Sequence, residues 1–334
     1  MLPVFLRAVL TVFIVTAASP ALAIGFKFLS IPDDAGRPIE IGIWYPSNSV
    51  PTAISVGSIP QNAALDGEVT GANLPVVIFS HGSAGWFGDR ADTAIAFAKA
   101  GFVAVSLTYP GDNYKDSSDR AGRQMTSRPV VTSRVLDYVL DNWTGRDHLD
   151  RSKVGFYGFS AGGFTGLVAI GGVPDWAIFA KHCKSDPDEG VCKQGVATFL
   201  SSPQAAAMPA STWHHDGRIK AAALASPGFG FAFDPASLSK VKIPVKLWGG
   251  SKDTVVPFDS NVEYLSRSFP NTVGVQKVMD AQHYSFLRAC SEALKAKNLE
   301  ICSDLPGFDR AAFQETFNKD LLMFFQTNLM NKAL

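Results

Sequence analysis

The chain has 334 residues, 46% of them hydrophobic, and 30 basic residues balance 30 acidic ones. A zero formal charge with no basic stretch argues against a nucleic-acid or anionic-membrane partner, because such partners need a concentrated positive footprint. The length suits one large α/β domain with a substantial core or two smaller ones; composition does not divide it, and no tandem repeat is visible.

Residues 1–23 read as processing sequence. Arg7 is their only charge, an apolar run extends from Ala8 to Ala18, Pro20 breaks it, and Ala21-Leu22-Ala23 fits a small-x-small cleavage site. The run is short for a membrane span, so the expectation is a signal peptide cleaved near Ala23 and a soluble periplasmic or secreted protein beginning near Ile24; an uncleaved anchor is the competing reading. Four cysteines, Cys183, Cys192, Cys290 and Cys302, would be oxidised in such a compartment. Of three possible pairings, their positions favour Cys183 with Cys192 and Cys290 with Cys302. Each bridge would stabilise by about 2–3 kcal/mol in the chain-entropy model. Zinc binding is the alternative, but no close C-x-x-C pair supports it.

A first strand is expected at 39–45, closed by Pro46, followed by a surface loop over 47–73 rich in Ser, Pro, Gly, Ala and Asn. Residues 74–80 form a continuous apolar run of the kind found in strands buried on both faces. The run ends in His81-Gly82-Ser83-Ala84-Gly85, a small-residue loop whose backbone N–H groups could face a cleft. A helix over 91–100 ended by Gly101, a strand over 102–107, a polar loop over 112–128 and an amphipathic helix over 130–143 follow.

The apolar strand Val154-Gly155-Phe156-Tyr157 then runs into Gly158-Phe159-Ser160-Ala161-Gly162-Gly163 and a helix-like stretch from Phe164 to Ala169. G-x-S-x-G between strand and helix is the pattern of a nucleophile elbow. The serine needs a strained backbone, the glycines remove colliding Cβ atoms, and the helix N-terminus faces the hydroxyl.

Periodicity fails over 171–217, and residues 172–217 are expected to be an insertion capping the cleft. His214 and His215 within it, being adjacent, point apart and suit packing better than metal ligation. Strands return at 219–225 and 243–248, a helix at 261–269 and a last strand at 273–278. Asp253 and His283 both fall on loops after strands. Strands alternating with helices predict a doubly wound, mostly parallel sheet with its cleft at the strands' carboxyl ends. The stretch from Phe308 to Met330 reads as an apolar helix packed on the sheet, with a dimer contact as the other use.

The elbow at Ser160, the His81-Gly82 loop, the Gly-x-x-Asp turn at Asp253 and the Gln282-His283 loop together resemble an α/β-hydrolase. Trp44-Tyr45-Pro46-Ser47, Phe79-Ser80-His81-Gly82 and the elbow resemble the branch shared by platelet-activating-factor acetylhydrolases and dienelactone-hydrolase-like proteins. True dienelactone hydrolases carry a cysteine nucleophile where this chain has Ser160. The resemblance implies Ser160 as nucleophile, His283 as general base and later acid, and Asp253 as the carboxylate that orients it. Asp259 and Asp280 are competing acids. Backbone N–H groups of Ser83 and Ala161 would hold the oxyanion. His81 would shape that loop, and Trp86 and Phe87 would line the pocket or pack.

The implied activity is metal- and cofactor-independent hydrolysis of small-molecule carboxylic esters, short or truncated acyl groups first, with larger esters, polyesters or phospholipid-like substrates as alternative. A non-catalytic binding protein would have no need of all three polar residues. Oligomeric state is not legible.

Overall fold

A computed structural model describes residues 23–120, 122–193, 196–271 and 273–330. The expected signal peptide lies outside the described residues except for Ala23, which opens the first strand.

Ten strands form one sheet in the order β10-β9-β8-β7-β5-β6-β2-β1-β4-β3. Its centre is β5 (Leu74–Ser80), flanked by β6 (Val103–Thr108) and β7 (Leu149–Phe159), and continued by β8 (Ile219–Ala225), β9 (Val245–Gly250) and β10 (Gly274–Val278). These six strands pair in parallel. Beyond β6, the strand β2 (Pro38–Ser47) turns antiparallel, and β1 (Ala23–Pro32) pairs antiparallel with β2.

The pleat explains why the central strands read as unbroken apolar runs. Val76 and Ile78 of β5 enter the core on one face, with Phe156 of β7 and Leu224 of β8. Val77 and Phe79 enter the other, with Tyr157 and Ala223. Helices cover both: α1 (Ala91–Lys99) and a long C-terminal helix (Arg310–Leu329) lie on the second face, while α2 (Gln124–Asp141) and α3 (Ala161–Ala169) lie on the first. Phe317, Leu321, Phe325 and Leu329, four residues apart, are the buried stripe of the C-terminal helix, whose ordinary fate of packing on the sheet is what the structure shows.

Two expectations need correction. The supposed loop over 47–73 contains a hairpin, β3 (Thr52–Val56) and β4 (Ile59–Leu65), joined by Gly57-Ser58 with Gly57 at φ +58°. β3 is the edge strand and β4, its neighbour, meets β1 only at Ala64 and Leu65; Thr52, Ser55, Gln61 and Asn62 interrupt both, so neither apolar continuity nor length marked them. The second helix starts at Gln124, ahead of Pro129, within the stretch read as polar loop. Arg128 there is only 2% exposed, drawn inward by partners described below.

The segment after α3 forms four short helices, α4 (Trp176–Ser185), α5 (Gly190–Lys193), α6 (Val196–Leu200) and α7 (Pro203–Ala206). Trp176 and Trp213 pack around Phe164, and Phe179 packs on Phe229 and Phe231. Both disulfides are present, Cys183 to Cys192 and Cys290 to Cys302. Among the described residues no helix is long and apolar enough to cross a membrane.

Candidate active site

Ser160 sits between β7 and α3 at φ 54°, ψ −117°, a conformation non-glycine residues rarely take. Its neighbours make the turn possible. A Cβ on Gly158 would collide with the Gly162 carbonyl, and one on Gly162 would collide with the Ser80 carbonyl. Backbone bonds from Ser160 N–H to Ala225 O (3.0 Å) and from Gly228 N–H to Ser160 O (3.1 Å) hold the elbow on β8 and the loop after it.

The three polar residues distant in sequence meet here. Asp253 Oδ1 accepts the N–H groups of Val255 (2.9 Å) and Val256 (2.7 Å), which leaves Oδ2 to accept His283 Nδ1–H at 2.8 Å. With the proton on Nδ1, Nε2 presents a lone pair to the Ser160 hydroxyl, 3.0 Å away. Asp253 and His283 are 5% and 4% exposed, so the carboxylate–imidazole pair is shielded from water. The competing acids lie elsewhere: Asp259 is exposed and paired with Lys277 at 3.1 Å, and Asp280 is exposed at a left-handed turn.

A set of residues that sequence reasoning did not single out holds the His283 turn. Arg90 Nη1 donates to Phe286 O (2.6 Å) and to Gln314 Oε1 (2.6 Å), and Gln314 Nε2 donates to Ser285 O (2.7 Å). Ser285 Oγ donates to Asp304, itself paired with Arg310 at 2.7 Å. On the acid side, the Cys183–Cys192 hairpin donates from Gly190 and Val191 to the carbonyls of Thr254 and Val255 (3.0 and 3.1 Å). Residues far along the chain thus fix both loops, and no local motif announces them.

Across from the elbow, a Cβ on Gly82 would come within 3.5 Å of Ser160 Cβ, which puts the His81-Gly82-Ser83 loop against the serine. Ala161 is the first residue of α3, so its N–H has no partner inside the helix. His81 does shape the loop. Its Nε2 accepts Tyr109 N–H (3.2 Å), so Nδ1 carries the proton and donates to Gly82 O (2.6 Å). Arg128 donates to the carbonyls of His81 (2.9 Å) and Gly82 (3.1 Å) and pairs with Asp112 at 3.1 Å, while Ser83 Oγ and Ala84 N–H also donate to Asp112. Burial raises the Asp112 carboxyl, but Arg128 and the other donors pull it below its usual range.

Burial, reinforced by the Arg128 charge, lowers His81 from 6.5 to about 3. Between those values the unfolded chain binds a proton that the folded chain refuses, so the stability this histidine contributes above pH 6.5 is lost as pH falls toward 3. The slope is at most about 1.4 kcal/mol per pH unit. Urea midpoints measured from pH 6.5 down to 5 are expected to fall less steeply in His81→Gln than in the wild type; parallel curves would contradict this assignment.

A cavity of about 360 Å³ opens beside Ser160 and His283, with apolar walls from Ile59, Trp86, Phe159, Leu287, Leu294 and Ile301. Trp86 is among its lining residues. Phe87 is not: it is 6% exposed and packs against Trp44 and Phe28, because the loop turns successive side chains to opposite sides. The covering elements also differ from expectation. Among the described residues none of 172–217 lines this cavity; its walls come from the β3–β4 hairpin tip and the segment stapled by Cys290–Cys302. His214 Nε2 meets Ser133 Oγ and His215 Nδ1 meets Ala169 O, so the two rings serve separate packing contacts. His148 and His182 lie apart from the elbow, bonded to Gly71 O and Glu189.

Among solved structures, the chain is similar to a ferulic acid esterase from Streptomyces cinnamoneus, with a TM-score of 0.66 and 16% sequence identity over 96% of this chain and 94% of that one. The chain has the α/β-hydrolase fold. At this identity the likeness concerns architecture, and chemistry has to be argued from the side chains. No family model and no curated protein matches the chain.

Proposed function

We propose that this α/β-hydrolase-fold protein is an exported serine hydrolase that cleaves carboxylic esters of small molecules through an acyl-enzyme. The observation that carries the reading is the unbroken hydrogen-bonded chain from Asp253 through His283 to Ser160, opening on an apolar cavity. Ser160 Oγ attacks the ester carbonyl as His283 Nε2 takes its proton; Asp253 keeps the ring in the required tautomer and stabilises the imidazolium. The N–H groups of Ser83 and Ala161 receive the oxyanion, each donor lowering the barrier by about 3–4 kcal/mol. Imidazolium returns its proton to the departing alkoxide, and water activated by the same ring releases the acid.

The small cavity supports short or truncated acyl groups. The two disulfides support an oxidising compartment, reached through the signal at residues 1–23. The motifs around Trp44, His81 and Ser160 support a place in the platelet-activating-factor acetylhydrolase and dienelactone-hydrolase-like branch, with ester rather than lactone chemistry because the nucleophile is serine. A 4-nitrophenyl ester series tests the acyl preference: kcat/KM is expected to fall by about tenfold or more from butyrate to decanoate. Rates that climb with chain length would instead assign larger lipid-like esters.

A further inference from the structure

Only two formally charged side chains line the cavity among the described residues, Asp89 and Arg288. Asp89 follows the oxyanion loop by one turn. Its Oδ2 accepts Trp86 N–H at 3.0 Å while its own N–H donates to Trp86 O at 3.2 Å, a reciprocal closure of the 86–89 turn. That explains one oxygen. Oδ1 has no hydrogen-bond partner among the described residues, and it belongs to a side chain on the wall of a cavity that Trp86, Phe159 and Leu287 line together with Tyr114 and Tyr284.

An acceptor on a cavity wall that no protein group meets is left to water, and a bound ligand that donates to it takes that water's place. We propose that Asp89 is a specificity-determining residue whose Oδ1 accepts a hydrogen bond from a hydroxyl group carried by the ester, so that the cavity selects hydroxylated esters. This rests on the esterase reading above. A neutral hydroxyl fits the surroundings better than an ammonium group. Burial raises the Asp89 carboxyl to about 7, against the pull of the Trp86 N–H and the nearby Arg90 and Arg288 charges. A carboxyl only partly ionised near neutrality, with two guanidinium groups close by, has little hold on a cation.

Two matched pairs test the proposal and locate the hydroxyl: methyl 4-hydroxycinnamate against methyl cinnamate for the acyl side, and 4-hydroxybutyl acetate against butyl acetate for the alcohol side. The wild type is expected to favour the hydroxylated member of at least one pair by about tenfold or more in kcat/KM. In Asp89→Ala that ratio is expected to fall to about one. Asp89→Ser, whose short hydroxyl can still accept Trp86 N–H while leaving nothing in the cavity, should show the same collapse and serves if the alanine variant does not fold. Turnover by the wild type without preference in either pair, or an unchanged ratio in a folded variant, would overturn the assignment alone. No turnover of any of the four esters would overturn the esterase reading and this assignment with it.

Discussion

Replacing Ser160 by alanine is expected to lower kcat/KM for 4-nitrophenyl acetate by about 10⁵- to 10⁶-fold, the scale at which serine triads fail when the nucleophile is removed. Every other part of the site remains. His283 and Asp253 keep their 2.8 Å bond, Gly158 and Gly162 keep the room the elbow needs, and alanine occupies less volume than serine in the same backbone conformation. The fold should therefore survive, with a thermal midpoint close to the wild type by differential scanning fluorimetry. Loss of activity together with loss of fold would leave Ser160 as a structural residue; retained activity in a folded variant would refute the nucleophile assignment.

Asp253→Asn is the second large effect. The carboxylate accepts from Val255 and Val256 through one oxygen and from His283 through the other. An amide that keeps the first pair of bonds must turn its NH₂ toward His283, which forces the proton onto Nε2 and removes the base facing Ser160. A loss of about 10⁴-fold in kcat is expected at neutral pH with little change in stability. Asp259→Asn and Asp280→Asn, at exposed positions without access to the imidazole, should stay within about threefold of the wild type. A large loss in either of these, with Asp253→Asn active, would reassign the acid.

The reach of sequence reasoning followed burial. Strands buried on both faces, 74–80 and 219–225, appear as apolar runs because both pleat faces meet a core, and their boundaries were legible to the residue. The elbow and the two loops bearing Asp253 and His283 were legible because a serine between small residues, or a polar residue directly after a strand, has few structural uses. Strands beyond β2 were not. In β1, which pairs with β2 along its whole length, Phe26 is buried while Phe28 is 48% exposed beside Lys27, so one-sided burial hid the signal.

Long-range polar buttresses were the other blind spot. Arg128 meets a carbonyl 47 residues away and Arg90 one 196 residues away, and nothing local to either arginine foretells those partners. Phe87 and Asp89 show the same limit in reverse: which side chain of a short loop enters a cavity depends on the twist of that loop. The disulfides were legible because the short spacings leave few unstrained pairings.

Active-site labelling tests the central claim most directly. Treatment of the folded protein with a fluorophosphonate probe, followed by peptide mass mapping, should give one adduct per chain, located on Ser160 and absent from Ser160→Ala. A folded wild-type protein that acquires no adduct, or acquires it on another residue, would contradict the account.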